Sequence, residues 1–155
     1  CDWSSDVCSS DLKTFKDIVT SIPKEISIHT GSTAIICIKK VDIIYIANCG
    51  DCRAIIDENG KAVQISEDHK PHYEVERINA SGGFITNYPG DVPRVNGNLA
   101  VSRSVGDFYL FPHVTWLPEI YQVVCKPFNK HLVMASDGVW DVMSNQDIIN
   151  IINNI

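Results

Sequence analysis

Two carboxylates four residues apart, Asp137 and Asp141, stand on either side of Gly138 just after a short apolar run. Carboxylate oxygens are the ligands that Mg²⁺ and Mn²⁺ favour, and these ions keep several waters, so one or two carboxylates per segment are enough. A divalent ion held there would lower the pKa of a bound water and make it a nucleophile near neutral pH. The spacing indicates a metal site, although a plain Asp-Gly turn fits the same residues.

The elements around these carboxylates decide where they point. The apolar run before them, residues 132–135, is too short for an exposed helix and predicts a buried strand. We expect Gly138 to let the backbone turn sharply after this strand, which would place Asp137 at the strand's end, facing a cleft. Further on, Ser144 has the spacing to Asp147 that is typical of a helix cap, so a helix is predicted to begin there.

Six segments have the composition of β-strands: residues 33–38, 43–48, 53–56, 62–65, 119–125 and 131–136. The first two are nearly continuously apolar, so we expect them to be covered on both faces, by a second sheet and by a helix layer. The third and fourth flank Asn59-Gly60, which supplies the positive φ angles of a hairpin. We expect the first four segments to form an antiparallel meander and the last two to pair with each other.

Two more helices are predicted from apolar periodicity and stop signals. Residues 14–22 carry apolar side chains at helical spacing until Pro23 ends the helix. Residues 73–80 form a second helix, which Gly82 and Gly83 cap.

Histidines and cysteines near the centre of the chain suggest other ligands. Because Mg²⁺ and Mn²⁺ prefer oxygen to imidazole, we interpret His69 and His72 as loop residues that form hydrogen bonds. Cys49 and Cys52 have Cys-x-x-Cys spacing, but a zinc site needs a second pair and a redox motif should open a helix, whereas these lie between strands. They fit small apolar core residues of a reducing compartment, with a redox or zinc module as the alternative.

Composition narrows the class of protein. The chain has 155 residues and a formal charge of −6, without a stripe of Lys and Arg, so neither nucleic acid nor an anionic membrane is expected as a partner. No apolar run approaches the roughly 20 residues of a membrane span. Residues 1–12 resemble the translation of a common sequencing-library adapter, and we expect them to be an artefact joined to a domain that occupies residues 13–155.

A series of motifs runs in order through the chain: Gly31-Ser32-Thr33-Ala34, Asn48-Cys49-Gly50-Asp51-Cys52-Arg53-Ala54, Asp68-His69-Lys70-Pro71, Glu76-Arg77-Ile78 with Gly82-Gly83, the segment 94–107, and Ser136-Asp137-Gly138-Val139-Trp140-Asp141-Val142. Together they resemble the metal-dependent PPM (PP2C-type) protein serine/threonine phosphatases over about residues 31–150. The resemblance implies an α+β fold, a four-layer α-β-β-α sandwich of antiparallel sheets flanked by helices, incomplete here.

The same resemblance implies a hydrolase that dephosphorylates phosphoserine and phosphothreonine in a phosphoprotein substrate, through a water activated by two or more Mg²⁺ or Mn²⁺ ions. Carried over by motif, Asp137 is a ligand of the metal pair, while Asp51 and Asp141 match carboxylates that hold a further, weaker metal. Segment 94–107 becomes a flap beside the cleft. Arg94 and Arg103 in it are candidates for binding the substrate phosphate, or for pinning the flap to a nearby aspartate.

Two parts of the family pattern do not occur in this sequence. These are the arginine and Asp-Gly-His-Gly-Gly segment expected upstream, and the Asp-Asn segment expected downstream. We therefore expect a partial domain that has no catalytic residue beyond its metal ligands and is inactive by itself. An intracellular location, cytoplasmic or nuclear, is expected. A catalytically inactive family member that serves as a binding scaffold is the alternative to an enzyme.

Overall fold

The computed structural model describes the backbone of residues 6–155 and the side chains of residues 13–155. The adapter interpretation of residues 1–12 lies outside the described side chains. The first helix, α1 (Asp6–Ser21), ends just before Pro23 as predicted and is followed by the short helix α2 (Lys24–Ser27). Phe15 and Val19 on α1 are buried against Cys49.

Ten strands and three further helices follow. The strands are β1 (Gly31–Ser32), β2 (Ala34–Lys40), β3 (Ile43–Cys49), β4 (Arg53–Glu58), β5 (Lys61–Gln64), β6 (Ile85–Thr86), β7 (Arg94–Val95), β8 (Val105–Gly106), β9 (Glu119–Val124) and β10 (Asn129–Ala135). The helices are α3 (Val75–Ala80), α4 (Asp137–Trp140) and α5 (Asn145–Ile152), with 3-10 turns at Pro71–Tyr73 and Phe108–Leu110. Among the described residues no helix has the length and apolar character to cross a membrane.

The longer strands form two antiparallel three-stranded sheets, in the orders β2-β3-β9 and β10-β4-β5. Two short ladders, β1-β8 and β6-β7, accompany them. The predicted meander is wrong, because the chain crosses from one sheet to the other between β3 and β4. The predicted pairing of the last two strands is also wrong, since β9 adds to β3 and β10 adds to β4.

The buried core lies between the two sheets and between the second sheet and α5. Ile44 and Ile46 of the first sheet share a buried cluster with Ala54 of the second, so the two sheets pack face to face. On its other face the second sheet is covered by α5, whose Ile149 is buried with Ile55 of β4. The first sheet is less covered than predicted: β3 alternates between buried and partly buried residues, and the edge strand β2 leaves most of its apolar side chains partly or fully exposed.

Local signals in the sequence are confirmed where they concern neighbouring residues. Asn59 and Gly60 have φ angles of 56° and 86°, which is the turn that an Asn-Gly hairpin requires. Ser144 and Asp147 form the reciprocal hydrogen bonds of a capping box at the start of α5. Gly82, with φ of 88°, follows α3.

Candidate metal centre

The register between β4 and β10 brings two of the predicted ligands to one end of the second sheet. Ala135, the last residue of β10, lies opposite Arg53, the first residue of β4. Continuing the same antiparallel register by two residues would place Asp137 opposite Asp51. Because β5 runs back along β4, the chain that leaves β5 returns to this same end. Three connections of the sheet therefore meet where the carboxylates are.

Asp137 is placed by a helix start and not by a glycine turn. It is the first residue of the single-turn helix α4, and Asp141, whose amide donates to the Asp137 carbonyl at 2.8 Å, closes that turn. Gly138 lies inside the helix and has no positive φ, so the expectation that it bends the chain is wrong. The helix is fastened to the sheet because Trp140 Nε1 donates to the Ala135 carbonyl at 2.7 Å.

The loop that carries Asp51 is held from several sides. Gly50 has φ of 110°, and a Cβ there would lie 2.3 Å from Thr33 Cγ2, so the loop requires glycine at this point. The side-chain amide nitrogen of the buried Asn48 donates to the carbonyls of Gly50, Cys52 and Glu67, at 3.2, 2.9 and 2.9 Å. A well-held loop of this kind fixes the direction of the Asp51 carboxylate.

His69 ties the same loop to the segment after β5. The Gly50 amide donates to His69 Nδ1 at 3.0 Å, and the His69 amide donates back to the Gly50 carbonyl at 3.0 Å. The ring is buried, and its Nε2 lies 3.6 Å from Glu119 Oε2. His69 is thus a hydrogen-bonding loop residue, as its sequence context indicates, and Nδ1, the nitrogen that accepts, carries no proton.

Lys70 is the cation that pairs with Asp51. Its ammonium forms an ion pair and hydrogen bond with Asp51, whose side chain is only 8% exposed. Burial acts to lower the pKa of Lys70, but the bond to Asp51 and the negative charges of Asp51, Asp137 and Asp141 raise it above its ordinary value. Asp51, Asp137 and Asp141 therefore all act on one cation.

A second ion pair fastens the site to the sheet. Arg53 Nε and one of its terminal nitrogens donate to the two oxygens of Asp68 at 2.9 and 2.7 Å. Its other terminal nitrogen donates to Asn145 Oδ1 at 2.8 Å, and the guanidinium lies 5.2 Å from the Trp140 ring. This bidentate pair links β4, the segment after β5 and α5.

The residues at this end fit a hard divalent cation by their chemistry. Asp51, Asp137 and Asp141 offer only carboxylate oxygens, the donors that Mg²⁺ and Mn²⁺ prefer. Within residues 13–155, however, no three His, Cys, Asp or Glu side chains are already arranged around a metal position. An ion that binds here must therefore draw the carboxylates together and compete with the Lys70 ammonium for Asp51.

A separate buried network surrounds Arg103. Its guanidinium donates to Glu74 at 2.6 and 3.1 Å, to Glu119 at 2.7 Å and to the Leu117 carbonyl at 3.1 Å. Glu74 also receives hydrogen bonds from Arg77, at 2.9 and 3.1 Å, among its other contacts. Burial acts to raise the pKa of Glu74, but its arginine partners and a serine hydroxyl lower it to about 2.

These contacts bear on the predicted role of the two flap arginines. Arg103 has its donors engaged by two carboxylates, which favours a structural role, although neither Asp107 nor Asp91 is its partner. Arg94 pairs with Asp91 at 3.0 Å, the pinning contact that its sequence context allowed, and also donates to the Asn98 carbonyl. Segment 94–107 is packed for much of its length, with Val95 fully buried, and its contact with substrate stays a prediction.

The Cys-x-x-Cys pair is placed in the core and not in a redox site. Cys49 ends β3 with no exposed surface, and burial raises the pKa of its thiol to about 12. Burial likewise raises the pKa of Cys52, which lies 3.4 Å from the Thr33 hydroxyl, and the charges of Asp51 and Asp137 add to that rise. Thiols with raised pKa values are poor nucleophiles and poor metal ligands at neutral pH.

The sequence profile of the Protein phosphatase 2C family matches residues 4–155, so the chain belongs to this family. It is 47% identical over 120 residues to Probable protein phosphatase 2C 68 of Oryza sativa subsp. japonica. The aligned region covers 76% of this chain and 33% of that protein. The chain is 45% identical over 126 residues to Probable protein phosphatase 2C 10 of Arabidopsis thaliana, covering 81% and 45%. The chain thus spans between a third and a half of the length of these relatives.

Solved structures agree on the fold. A serine-threonine phosphatase 2C from Toxoplasma gondii superposes with a TM-score of 0.78 at 21% identity, covering 95% of this chain and 59% of that one. A C. elegans sex determining protein superposes with a TM-score of 0.73 at 29% identity, covering 77% and 30%. The predicted α+β class, antiparallel sheets flanked by helices in an incomplete sandwich, is confirmed.

Three residues that organise this region were not singled out from the sequence. Lys70 stands inside the Asp-His-Lys-Pro motif, but a lysine in a loop carries no local pattern that reveals its partners. Glu74 and Glu119 come from distant parts of the chain and acquire their role only by meeting Arg103.

Proposed function

We propose that this chain supplies the Asp51, Asp137 and Asp141 side of the metal centre of a protein serine/threonine phosphatase that acts on phosphoserine and phosphothreonine with Mg²⁺ or Mn²⁺. One observation carries the proposal: the register that sets Ala135 beside Arg53 brings the loop of Asp51 and the helix that begins at Asp137 and ends beside Asp141 to one end of the same sheet. Membership of the Protein phosphatase 2C family supports a phosphoprotein as the substrate.

The roles of the chain's own residues are those that the family resemblance implies. Asp137, at the start of α4, would be a ligand of the metal pair, and Asp51 and Asp141 would hold a further, weaker ion. A bound divalent ion supplies Lewis acidity and a water of lowered pKa. Asn48 and His69 hold the Asp51 loop in place, so the backbone of this loop is already ordered before an ion draws the carboxylates together.

The test is phosphate release from a phosphothreonine peptide with Mn²⁺, in a protein that joins this chain to the remainder of a family domain. Asp137→Asn removes a charged ligand with little change in volume, so we expect its kcat to fall below about a tenth of the wild-type value, equivalent to ~1.4 kcal/mol of barrier. Asp141→Ala should act more gently and chiefly raise the metal concentration required.

The two substitutions serve as controls for each other, because both remove one negative charge from α4. Near-normal kcat in Asp137→Asn would overturn the assignment of the metal ligand. If added Mn²⁺ restores no phosphatase activity to the Asp141→Ala variant, the assignment of Asp141 to a further, weaker metal is wrong.

A further inference from the structure

Lys70 is a positive charge in a place where a metal-binding protein needs negative ones. Its ammonium is bonded to the buried Asp51 carboxylate, and the charges of Asp137 and Asp141 also reach it. The neighbouring cation, Arg53, points elsewhere and is bonded to Asp68 and Asn145. Lys70 is thus the cation that pairs with one predicted metal ligand and lies under the charges of the other two.

The backbone around Lys70 is fixed while its side chain has room to move. The Lys70 amide donates to the Asp68 carbonyl at 2.9 Å, its carbonyl accepts from the Tyr73 amide at 3.0 Å, and Pro71 follows it. The Lys70 side chain is 28% exposed, against 8% for that of Asp51, so the lysine has more contact with solvent than the carboxylate it pairs with. A lysine on a four-carbon stem can leave such a contact without any change in the fold.

We propose that Lys70 is an internal counter-ion that occupies the cation position beside Asp51 and is displaced when a divalent ion binds there. This rests on the proposed function, since it assumes that Asp51 is a metal ligand, and it deepens that function by naming the residue that sets the metal affinity.

The physical reason is competition for one buried carboxylate. In the metal-free protein Lys70 neutralises Asp51, because a buried and unpaired carboxylate would be costly. A divalent ion that takes the same oxygen must expel the ammonium, and the two cations repel each other until it leaves. Lys70 therefore stabilises the metal-free site and weakens metal binding by the same contact.

The experiment measures Mn²⁺ affinity of the 155-residue chain, by the loss of the free Mn²⁺ electron paramagnetic resonance signal and by calorimetry. Lys70→Met keeps the stem and removes the charge, and we expect it to bind Mn²⁺ about tenfold more tightly than wild type, equivalent to ~1.4 kcal/mol. Lys70→Gln, which still offers Asp51 a hydrogen bond, should change affinity in the same direction. Lys70→Arg should bind no more tightly than wild type.

The matched control is Lys126→Met, which removes the same charge from an exposed lysine paired with Glu58 at 3.8 Å, and its Mn²⁺ affinity should equal the wild-type value. Lys70→Gln guards against loss of the fold in Lys70→Met, and thermal unfolding of both variants checks that each is native.

Each result decides between the two proposals. Unchanged or weaker Mn²⁺ binding by Lys70→Met and Lys70→Gln overturns the counter-ion, as does the absence of binding in wild type and both variants. Asp51→Asn reports on the site itself: if it loses the Mn²⁺ bound by wild type while the Lys70 variants match wild type, the site stands and only the counter-ion is wrong. If Asp51→Asn binds Mn²⁺ as wild type does, the assignment of Asp51 as a ligand is wrong.

Discussion

Two clusters of charged residues lie on either side of His69, and they differ in charge balance. Around Arg103, the carboxylates of Glu74 and Glu119 meet the guanidinium groups of Arg103 and Arg77 at hydrogen-bonding distance. At the end of the second sheet, Lys70 is bonded to Asp51 and is also under the charges of Asp137 and Asp141, while Arg53 is engaged by Asp68. His69 stands between the clusters, with Nδ1 toward Gly50 and Nε2 toward Glu119.

The difference distinguishes structure from function. A balanced cluster with its donors and acceptors satisfied holds elements together and offers little to a ligand. An unbalanced cluster is a cost to the fold, which is offset only when a cation arrives, and such costs are typical of functional sites. Charge balance therefore favours the end of the second sheet as the candidate binding site, which the number of ionisable groups alone would not do.

Breaking the balanced cluster should produce the largest effect on stability. Arg103→Met takes partners from the largely buried Glu74 carboxylate and from the more exposed Glu119 carboxylate, and we expect the free energy of unfolding to fall by about 3–5 kcal/mol, chiefly through Glu74. Urea-induced unfolding measures it, with Arg94→Met as control, because Arg94 and its partner Asp91 are far more exposed and should matter little. Equal losses in the two variants would contradict the structural role assigned to Arg103.

The balanced cluster should also make the protein sensitive to acid. Because the pKa of Glu74 is about 2 in the fold against an ordinary 4.5, the fold gains stability from it above pH 4.5 and loses that gain as the pH falls toward 2. The shift corresponds to at most roughly 3–4 kcal/mol, the product of the pKa difference and about 1.4 kcal/mol per unit, which solvent screening reduces.

Urea midpoints at pH 6, 4 and 3 measure this effect. The Glu74→Gln variant should be less stable than wild type at pH 6 and should lose less stability on acidification. Parallel pH dependence in the two proteins would show that other carboxylates cause the acid sensitivity.

Removing a charge from the unbalanced cluster should have the smallest effect on the free energy of unfolding, and any change should be an increase. Asp141→Asn removes one of three like charges from an exposed position, so without metal we expect stability to stay equal or to rise by at most about 0.5 kcal/mol. The same urea assay measures it, with and without Mn²⁺. A loss above about 1 kcal/mol in the metal-free protein would place Asp141 in the structural framework and end the contrast between the clusters.

Features that depend on neighbouring residues could be predicted from the sequence. The Asn59-Gly60 turn and the Ser144 cap are local hydrogen-bond geometry, and both are confirmed. Strand partners are not local: β9 and β10 follow each other in sequence, yet each adds to a strand some seventy or more residues earlier. Their apolar patterns are similar, so nothing in them indicates which sheet each joins.

In the candidate site too, some features follow from local motifs and others only from the packing of distant segments. The motifs indicated Asp51, Asp137 and Asp141 as candidate ligands at one end of a sandwich, and their binding of metal stays a prediction. The motifs could not reveal that Lys70 would pair with Asp51, or that Arg103 would bond to Glu74 and Glu119. Those partners are set by the packing of distant segments, and a single arginine or lysine in a polar stretch carries no period from which its contacts follow.

The register that sets Ala135 beside Arg53 has a consequence for the order of folding. These residues are about eighty positions apart, so the loop they close is among the long ones of the chain, and closing it costs entropy before any contact repays it. Asp51 and Asp137 cannot meet until that closure is complete. A divalent ion that needs both carboxylates would bind only the finished fold, so it would shift the equilibrium toward the native state without stabilising the earlier stages of folding.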